Sequence, residues 1–386
     1  MAEFTVNRDS SVYYASGYWN DLPQVADHLS RRVSGDPAVP WYEHLRRQTD
    51  VTTFRKALFL NCGNGWVERE LMAAGVIAEG VGIDISPDLL EQARKEADGG
   101  GLNLRYYERD INTADLPEDG YDLVVNYAAA HHIAYLDKVF RRICELLPED
   151  GVFASSDYVG PHRNQYGYPE WQACHELNRT LPERFRQDLR YPHLPTMLAG
   201  DPTEAIHSEL ILETTRRYFD VAELKTMGGA LAYLLLTFNS GIHSAPPAER
   251  DPIVEQVVAA DEAYTDAHPD SALFAFFWGR PRKAVLDEAE ALARWTATED
   301  ARETAAAQSG GEYYPLTALQ ELTQEVEQLR LFNSHLRADA RPATAGQPLG
   351  PVSVRRVLVS EMERRWPALT KALVRVKHAA QRLVRR

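Results

Sequence analysis

Apolar and polar positions repeat with two different periods along the middle of this chain, and their order predicts an α/β fold. Short apolar runs are typical of buried strands, and apolar residues three or four positions apart are typical of helices. Strands are predicted at residues 57–60, 80–85, 104–107, 121–126 and 152–159, and helices at 67–74, 87–97 and 135–147. Strands and helices that alternate in this way form a doubly wound, mostly parallel sheet.

Two stretches interrupt the alternation and predict helical insertions. The first is rich in Pro, His, Arg and aromatic side chains, and we expect it to form a lid. The predicted parts are the lid at 160–218 with helices at 169–179 and 202–218, a strand at 219–227, a helical insertion at 230–267 and a closing strand at 271–280. The core domain is therefore predicted over residues 51–283.

The two ends of the chain differ from this core domain. Residues 1–50, which contain several tyrosines and tryptophans, predict an N-terminal helical cap. Residues 284–338 predict a helical extension with apolar residues at coiled-coil spacing. This spacing fits a short coiled coil that joins copies of the chain, and it fits equally an amphipathic helix folded onto its own body. Residues 339–351 predict a linker, and 352–386 an amphipathic basic helix.

Charge divides the chain into an acidic body and a basic tail. The 386 residues carry a net charge of −14, but residues 351–386 contain ten Lys or Arg and two Asp or Glu, which leaves −22 for residues 1–350. An acidic body repels phosphate backbones, so no nucleic-acid partner is expected. The basic C-terminal helix suits a membrane surface or a protein partner.

Composition narrows the class of protein further. The chain is 44% hydrophobic and 25% charged, which is typical of a globular protein. Its three cysteines have neither disulfide nor zinc-type spacing, so no metal site is predicted. The sequence has neither a leader-like N-terminus nor a run of about 20 apolar residues. It therefore predicts a cytoplasmic protein, peripheral at the inner face of the membrane where the tail binds.

The chemistry centres on a glycine-containing turn between the first strand and the first helix of the core domain. The turn reads N-C-G-N-G at residues 61–65, and glycine is needed where a backbone turns tightly against a ligand. Asp84 ends the next strand, where a carboxylate accepts hydrogen bonds from both hydroxyls of an adenosine ribose. These two features also fit a dinucleotide site.

Other residues argue against a dinucleotide. A G-x-G-x-x-G fingerprint would have its third glycine at Glu68, and a carboxylate there would repel a pyrophosphate. Asp110 follows the third strand, where a carboxylate suits the amino group of an adenine. The fourth strand contains Y-D-L-V-V at 121–125 and is followed by Asn126.

These motifs resemble, in order and approximate spacing, those of the class I S-adenosylmethionine-dependent methyltransferases. The resemblance covers residues 55–160 and more loosely 219–282, and it implies a Rossmann-like sheet whose closing strand is antiparallel. It also implies S-adenosylmethionine as the cofactor, with contacts from Asn61, Cys62, Gly63, Gly65, Asp84, Ile85, Asp110, Ile111 and Asn126.

The turn departs from the family pattern at two positions. Phe59 stands where an acidic residue is usual, and Asn61 stands where a first glycine is usual. Asn tolerates left-handed backbone angles better than most residues, so we expect the turn to keep its shape.

Methyl transfer to a hydroxyl needs a base, and two histidines follow the fourth strand. His131 and His132 lie at the carboxyl end of the sheet, where open α/β sheets bind ligands. An ordinary histidine pKa of about 6.5 suits proton transfer near neutral pH. We expect one of the pair to be the base. The alternative is that both only cap a helix or bond to the cofactor pocket.

The lid and the N-terminal cap supply the residues expected to bind the acceptor. Polar side chains beside aromatic rings suit a polyhydroxylated substrate. The expected contacts are Tyr14, Trp19, Asp157, Tyr158, His162, Arg163 and Gln165. The segments 18–37, 157–166 and 201–208 resemble a methyltransferase subgroup linked with bacterial glycan or polysaccharide modification, which implies a sugar or glycan hydroxyl as the acceptor.

Two other functions stay open from the sequence. An aromatic or polyketide-type small molecule, methylated on oxygen or nitrogen, suits the aromatic cap and lid equally well. A non-catalytic, cofactor-binding assembly protein would act instead through the coiled coil and the basic tail.

Overall fold

We describe the fold from a computed structural model, which describes residues 16–117, 120–287, 301 and 303–308. Residues 301 and 303–308 are helical. Tyr14, the coiled-coil spacing, the linker and the basic helix predicted from the sequence lie outside the described residues. No helix in the described ranges is both long and apolar enough to cross a membrane.

The described residues form one seven-stranded sheet. Its strands are β1 (Ala57–Leu60), β2 (Gly80–Asp84), β3 (Leu104–Glu108), β4 (Leu123–Tyr127), β5 (Val152–Tyr158), β6 (Phe219–Gly228) and β7 (Phe274–Pro281). They lie side by side in the order β3-β2-β1-β4-β5-β7-β6, and β7 runs antiparallel to both of its neighbours. The predicted Rossmann-like sheet, mostly parallel with an antiparallel closing strand, is confirmed.

Helices connect the strands and precede the sheet. They are α1 (Pro23–Ser34), α2 (Trp41–Thr49), α3 (Trp66–Ala73), α4 (Pro87–Gly100), α5 (Leu136–Leu146), α6 (Tyr168–Thr180), α7 (Leu194–Gly200), α8 (Ile211–Tyr218), α9 (Ala232–Leu236), α10 (Ser240–His243) and α11 (Pro247–Ala267). The Ser86 hydroxyl accepts a hydrogen bond from the Leu89 N–H at 3.5 Å at the start of α4. Ser86 is therefore the N-cap of α4, and Pro87 is its first residue.

Helices cover both faces of the sheet. On one face, Phe140 of α5 and Ile211 of α8 belong to the same buried cluster as Phe153 of β5. On the other face, Leu45 of α2 and Leu71 of α3 pack with strand residues. All four strands β1, β2, β4 and β5 are almost wholly buried, which explains why their sequences are continuous apolar runs rather than alternating ones.

The lid segment differs from its prediction in one helix. Residues 202–218 were expected to be helical, but the helix begins only at Ile211. Asp201 accepts hydrogen bonds from the Thr203 N–H and hydroxyl, and the Ile206 N–H donates to the His131 carbonyl oxygen at 3.0 Å. The backbone of residues 201–206 therefore bonds to a side chain and to a neighbouring loop instead of forming a helix, which a local sequence pattern does not reveal.

Candidate active site

The turn after β1 has the backbone shape expected from its glycines. Asn61, Gly63 and Gly65 have φ values of +45°, +56° and +71°. A Cβ atom on Gly65 would collide with the hydroxyl of Tyr106, so the position requires glycine. Asn61 adopts the left-handed region as expected, and its amide donates to the carbonyl oxygen of Ala129 at 3.3 Å, which ties the turn to the loop after β4.

Asp84 is held at the end of β2 by two backbone N–H groups. Gly63 donates to Oδ2 and Ser86 donates to Oδ1, each at 2.8 Å. Burial raises the pKa of Asp84, against the effect of these backbone hydrogen bonds. Each carboxylate oxygen accepts about two hydrogen bonds. Asp84 therefore has acceptor capacity left for the ribose hydroxyls that its position in the sequence predicts.

The other cofactor candidates lie along the same edge of the sheet. Ile85 follows β2 and is half-buried, while Asp110 follows β3 and is exposed. The Oδ1 atom of Asp110 accepts a hydrogen bond from the Asn112 N–H at 2.9 Å, and Ile111 is buried in the core. The half-buried Cys62 lies within the glycine turn. The carboxyl ends of β1, β2 and β3 thus bring the predicted adenosine-binding residues to one edge.

The Asn126 side chain is buried at the end of β4 and bonds to β5. Only 1% of its surface is exposed, and its side-chain amide donates to the Ser155 hydroxyl and to Oδ2 of Asp157, both at 2.7 Å. Its observed contacts therefore hold Asp157 in place. The pattern at the end of β4 identified the residue but not the direction of its side chain.

Asp157 holds the ring of His131. Its Oδ1 atom lies 2.5 Å from His131 Nδ1, and its side chain has no exposed surface. Oδ2 accepts hydrogen bonds from the N–H groups of Ala129 and Ala130 at 3.1 and 2.6 Å as well as from Asn126. These contacts hold the Asp157 carboxylate in place so that it orients the His131 ring, and its contact with the acceptor stays a prediction.

A second carboxylate faces both histidines. Glu204 Oε2 lies 3.9 Å from His131 Nε2 and 3.8 Å from His132 Nε2. His132 Nδ1 lies 3.1 Å from the Thr203 hydroxyl oxygen, which in turn contacts Asp201 at 2.6 Å. The His131 and His132 rings are 4.2 Å apart. Two histidines and one carboxylate therefore share one cleft beside the carboxyl ends of β4 and β5.

Charge and burial shift the pKa values of this group in opposite directions. Burial alone would lower the pKa of His131, but the charge and hydrogen bond of Asp157 outweigh burial and raise it to about 9. Burial and the neighbouring His131 lower the pKa of His132. Burial acts to raise the pKa of Asp157, but His131 and the hydrogen-bond donors around it lower that pKa, so Asp157 is ionised at neutral pH.

The remaining residues predicted to bind the acceptor have structural contacts. Trp19 is 3% exposed and packs against Tyr233 and Phe274, with ring centroids 6.0 and 5.1 Å away. Tyr158 is 5% exposed, and its ring centroid lies 5.5 Å from that of Phe274 and 6.2 Å from that of His131. These rings form an aromatic wall close to His131.

Three further predicted residues hold the lid segments together. Arg163 is 4% exposed and donates to the carbonyl oxygen of Glu204 at 3.0 Å. Gln165 donates to the carbonyl oxygens of Arg163 and Pro192. The rings of His162 and His207 lie 5.4 Å apart. These contacts fix the position of Glu204 and connect the segments of the lid.

Two groups of side chains bring three potential metal ligands within 4.8 Å of one another, although no metal spacing is visible in the sequence. The groups are His131, His132 and Glu204, and His162, His207 and Glu209. In each group the members come from chain segments that lie far apart, so a search for regular ligand spacing does not find them.

The site residue that sequence reasoning missed is Glu204. It falls at the start of the helix predicted at 202–218, because D-P-T-E at 201–204 is a typical helix-start pattern. The signal that could have found it is the position of D-P-T-E-A-I-H-S, which is one of the segments that carry the family resemblance.

Comparisons with known proteins agree with this geometry. Residues 56–223 match the family model described as "Methyltransferase domain". The uncharacterized methyltransferase YcgJ of Bacillus subtilis is 26% identical over 156 residues, which are 35% of this chain and 60% of that protein. The uncharacterized methyltransferase Rv0089 of Mycobacterium tuberculosis is 31% identical over 124 residues, which are 32% of this chain and 61% of that protein.

These matches cover part of each protein. The chain spans about three fifths of the length of these two curated relatives. The crystal structure of B. subtilis YcgJ is similar with a TM-score of 0.38 and 18% identity, and it covers 62% of this chain and 97% of that one. The family match and the relatives show that residues 56–223 are similar to a methyltransferase domain.

Proposed function

We propose that this protein methylates a hydroxyl group of a sugar or glycan, and that His131 is the base. One observation carries the proposal: the buried Asp157 carboxylate fixes the His131 ring through Nδ1, at 2.5 Å, on the sheet edge that also carries the cofactor turn. Because Asp157 is ionised, Nδ1 is the hydrogen-bond donor. Nε2 of a neutral His131 then carries the lone pair that accepts a proton.

The residues of the turn and of β2 fit the cofactor. The positive φ values of Asn61, Gly63 and Gly65 let the backbone pass close to a ligand, and Asp84 has acceptor capacity for ribose hydroxyls. When bound, S-adenosylmethionine supplies an electrophilic methyl group on a positively charged sulfur atom. The acidic body of the chain suits that positive charge.

His131 and the aromatic wall near it contact the methyl acceptor. His131 takes the hydroxyl proton at Nε2 as the acceptor oxygen becomes a nucleophile, because a neutral hydroxyl is a poor nucleophile at pH 7. The aromatic wall of Trp19, Tyr158, Tyr233 and Phe274 covers one side of this region. Hydrogen-bonding groups beside aromatic rings support a polyhydroxylated acceptor.

Transfer of a labelled methyl group by the full chain tests the proposal. Nucleotide sugars, lipid-linked glycans and phenols are offered in parallel with labelled S-adenosylmethionine. We expect transfer to a sugar hydroxyl, and His131→Gln to lower the rate by roughly 10²–10⁴-fold while cofactor binding persists. His268→Gln, a substitution of an exposed histidine on another part of the fold, is the matched control. Full activity of His131→Gln would contradict the role of His131 as the base. Methyl transfer to phenols alone would favour an aromatic acceptor.

The charge of the C-terminal tail supports a second part of the proposal, which rests on sequence alone. The net charge of +8 over residues 351–386 suits an anionic surface at the cytoplasmic face of a membrane. We expect the full chain to sediment with anionic vesicles and a chain ending at residue 340 to lose this binding. Turnover of a soluble acceptor by the shorter chain should be unchanged.

A further inference from the structure

Glu204 and His131 bring two groups that can accept hydrogen bonds close together. Asp157 accepts from His131 Nδ1, so above the His131 pKa of about 9 the ring is neutral and its Nε2 is an acceptor. The Oε2 atom of Glu204, whose side chain is one-third exposed, lies 3.9 Å from that nitrogen. A ligand that contacts both groups must therefore supply two donors.

The distances in the cleft select the kind of donor. Glu204 Oε2 lies 3.9 Å from His131 Nε2 and 3.8 Å from His132 Nε2, which is too far for a direct hydrogen bond. Ligands at about 2.1 Å from a tetrahedral metal ion lie about 3.4 Å apart, closer than these atoms are. Two adjacent hydroxyl groups, each making a hydrogen bond of about 2.8 Å, fit the wider spacing.

The position of Glu204 is fixed by the surrounding loops. Its carbonyl oxygen accepts from Arg163, and the next residue, Ala205, accepts from the Arg163 N–H at 2.7 Å. The Ile206 N–H donates to the His131 carbonyl oxygen at 3.0 Å. The carboxylate is thus attached through its own backbone to the loop that carries His131. A carboxylate held in this way is suited to selecting one methyl-accepting molecule over another.

We propose that Glu204 binds the hydroxyl adjacent to the one that is methylated, so that the acceptor of this enzyme is a vicinal diol. The inference rests on the proposed function, in which His131 takes the proton of the methylated hydroxyl. The first hydroxyl donates to His131 Nε2, and its neighbour donates to Glu204 Oε2. An acceptor with a single hydroxyl, or with hydroxyls farther apart, gives no hydrogen bond to Glu204 Oε2 and binds more weakly.

Two isomeric probes test this inference. At a pH above about 9, where His131 is neutral, the full chain saturated with S-adenosylhomocysteine is titrated with cis-cyclohexane-1,2-diol and with cis-cyclohexane-1,3-diol. Binding is followed through the NMR signals of the histidine side chains. The isomers have the same atoms and the same number of hydroxyls. We expect the 1,2-diol to bind roughly tenfold more tightly, which is the effect of one hydrogen bond to a charged group.

Variants identify the group responsible. Glu204→Gln keeps the size of the side chain, and we expect it to bind the two isomers equally. Glu213→Gln, at an exposed position of α8, should keep the preference of the unmodified protein. Equal binding of the isomers by the unmodified protein, or binding of neither, overturns the inference.

Two more measurements distinguish the diol subsite from a metal site and test the proposed function separately. A preference that EDTA abolishes and Mn²⁺ or Zn²⁺ restores would overturn it in favour of a metal site at the same three side chains. Methyl transfer is measured with both isomers in parallel samples that contain S-adenosylmethionine in place of S-adenosylhomocysteine. Selective binding of the 1,2-diol without any methyl transfer would support the diol subsite and contradict the proposed function. Methyl transfer to both isomers without selective binding would support the proposed function and overturn the diol subsite.

Discussion

Glu68 offers a direct test of how burial controls a carboxyl group beside the cofactor turn. It lies in the first turn of α3 and has no exposed surface. Burial raises the pKa of Glu68 from 4.5 to about 8, so the fold favours the neutral carboxyl. Glu68→Gln keeps the shape of the side chain and removes its titration.

The magnitude follows from the difference in pKa between the folded and unfolded chain. Below pH 4.5 the carboxyl is neutral in both states, and as the pH rises toward about 8 the unfolded chain ionises while the folded chain keeps its proton. Stability is therefore lost with rising pH. At about 1.36 kcal/mol per pKa unit the full effect is about 5 kcal/mol, of which about 2 kcal/mol develops between pH 6 and pH 8.

Urea unfolding followed by tryptophan fluorescence measures this effect. The free energy of unfolding of the unmodified protein should fall by about 2 kcal/mol relative to that of Glu68→Gln between pH 6 and pH 8. Glu96→Gln, an exposed substitution in α4, is the control and should follow the unmodified protein at both pH values. Parallel pH dependences for the unmodified protein and Glu68→Gln would refute the reasoning, because Glu68 would then titrate alike in the folded and unfolded chain.

Three more predictions follow from the same structure. Gly65→Ala, with φ of +71° and the Tyr106 hydroxyl in the way, should cost about 1–3 kcal/mol of stability and weaken cofactor binding; calorimetry showing neither change would contradict it. The kcat/KM of the unmodified enzyme should rise with pH toward about 9, the pKa of His131, and Asp157→Asn should move that rise to lower pH. A pH profile that Asp157→Asn leaves unchanged would show that the base is not a histidine whose pKa Asp157 raises. Asp261→Ala removes the acceptor for three N–H groups at the start of α9 and should lower the unfolding free energy by about 3 kcal/mol, whereas Asp261→Asn should lower it by less. Equal losses for the two variants would show that these hydrogen bonds do not stabilise the start of α9.

The strands were predictable because their signals are local. β1 occupies residues 57–60 as predicted, and β2 and β5 differ from their predictions by one residue at one end. Strands buried on both faces must be continuous apolar runs, and glycine in the turn after β1 has few backbone alternatives. The left-handed Asn61 was predictable for the same reason, since its side chain tolerates that conformation without help from distant residues.

Side-chain direction at the site was not predictable in the same way. Asn126 and Asp157 were both identified as site residues, yet Asn126 donates to Asp157, and Asp157 bonds to His131 rather than pointing into the cleft. A strand pattern gives the face on which a side chain lies but not its hydrogen-bond partners. Those partners depend on β4 and β5 lying next to each other in the sheet.

The sequence by itself determined the elements of this domain, the order of its motifs, and the presence of a histidine pair beyond β4. Each of these depends on residues within a few positions of one another, through periodicity, capping and backbone freedom. Only the tertiary structure decided that Glu204 faces His131 and His132 across 3.9 and 3.8 Å. Glu204 lies more than 70 positions from the two histidines along the chain, and a backbone hydrogen bond between the lid and the loop after β4 brings them together.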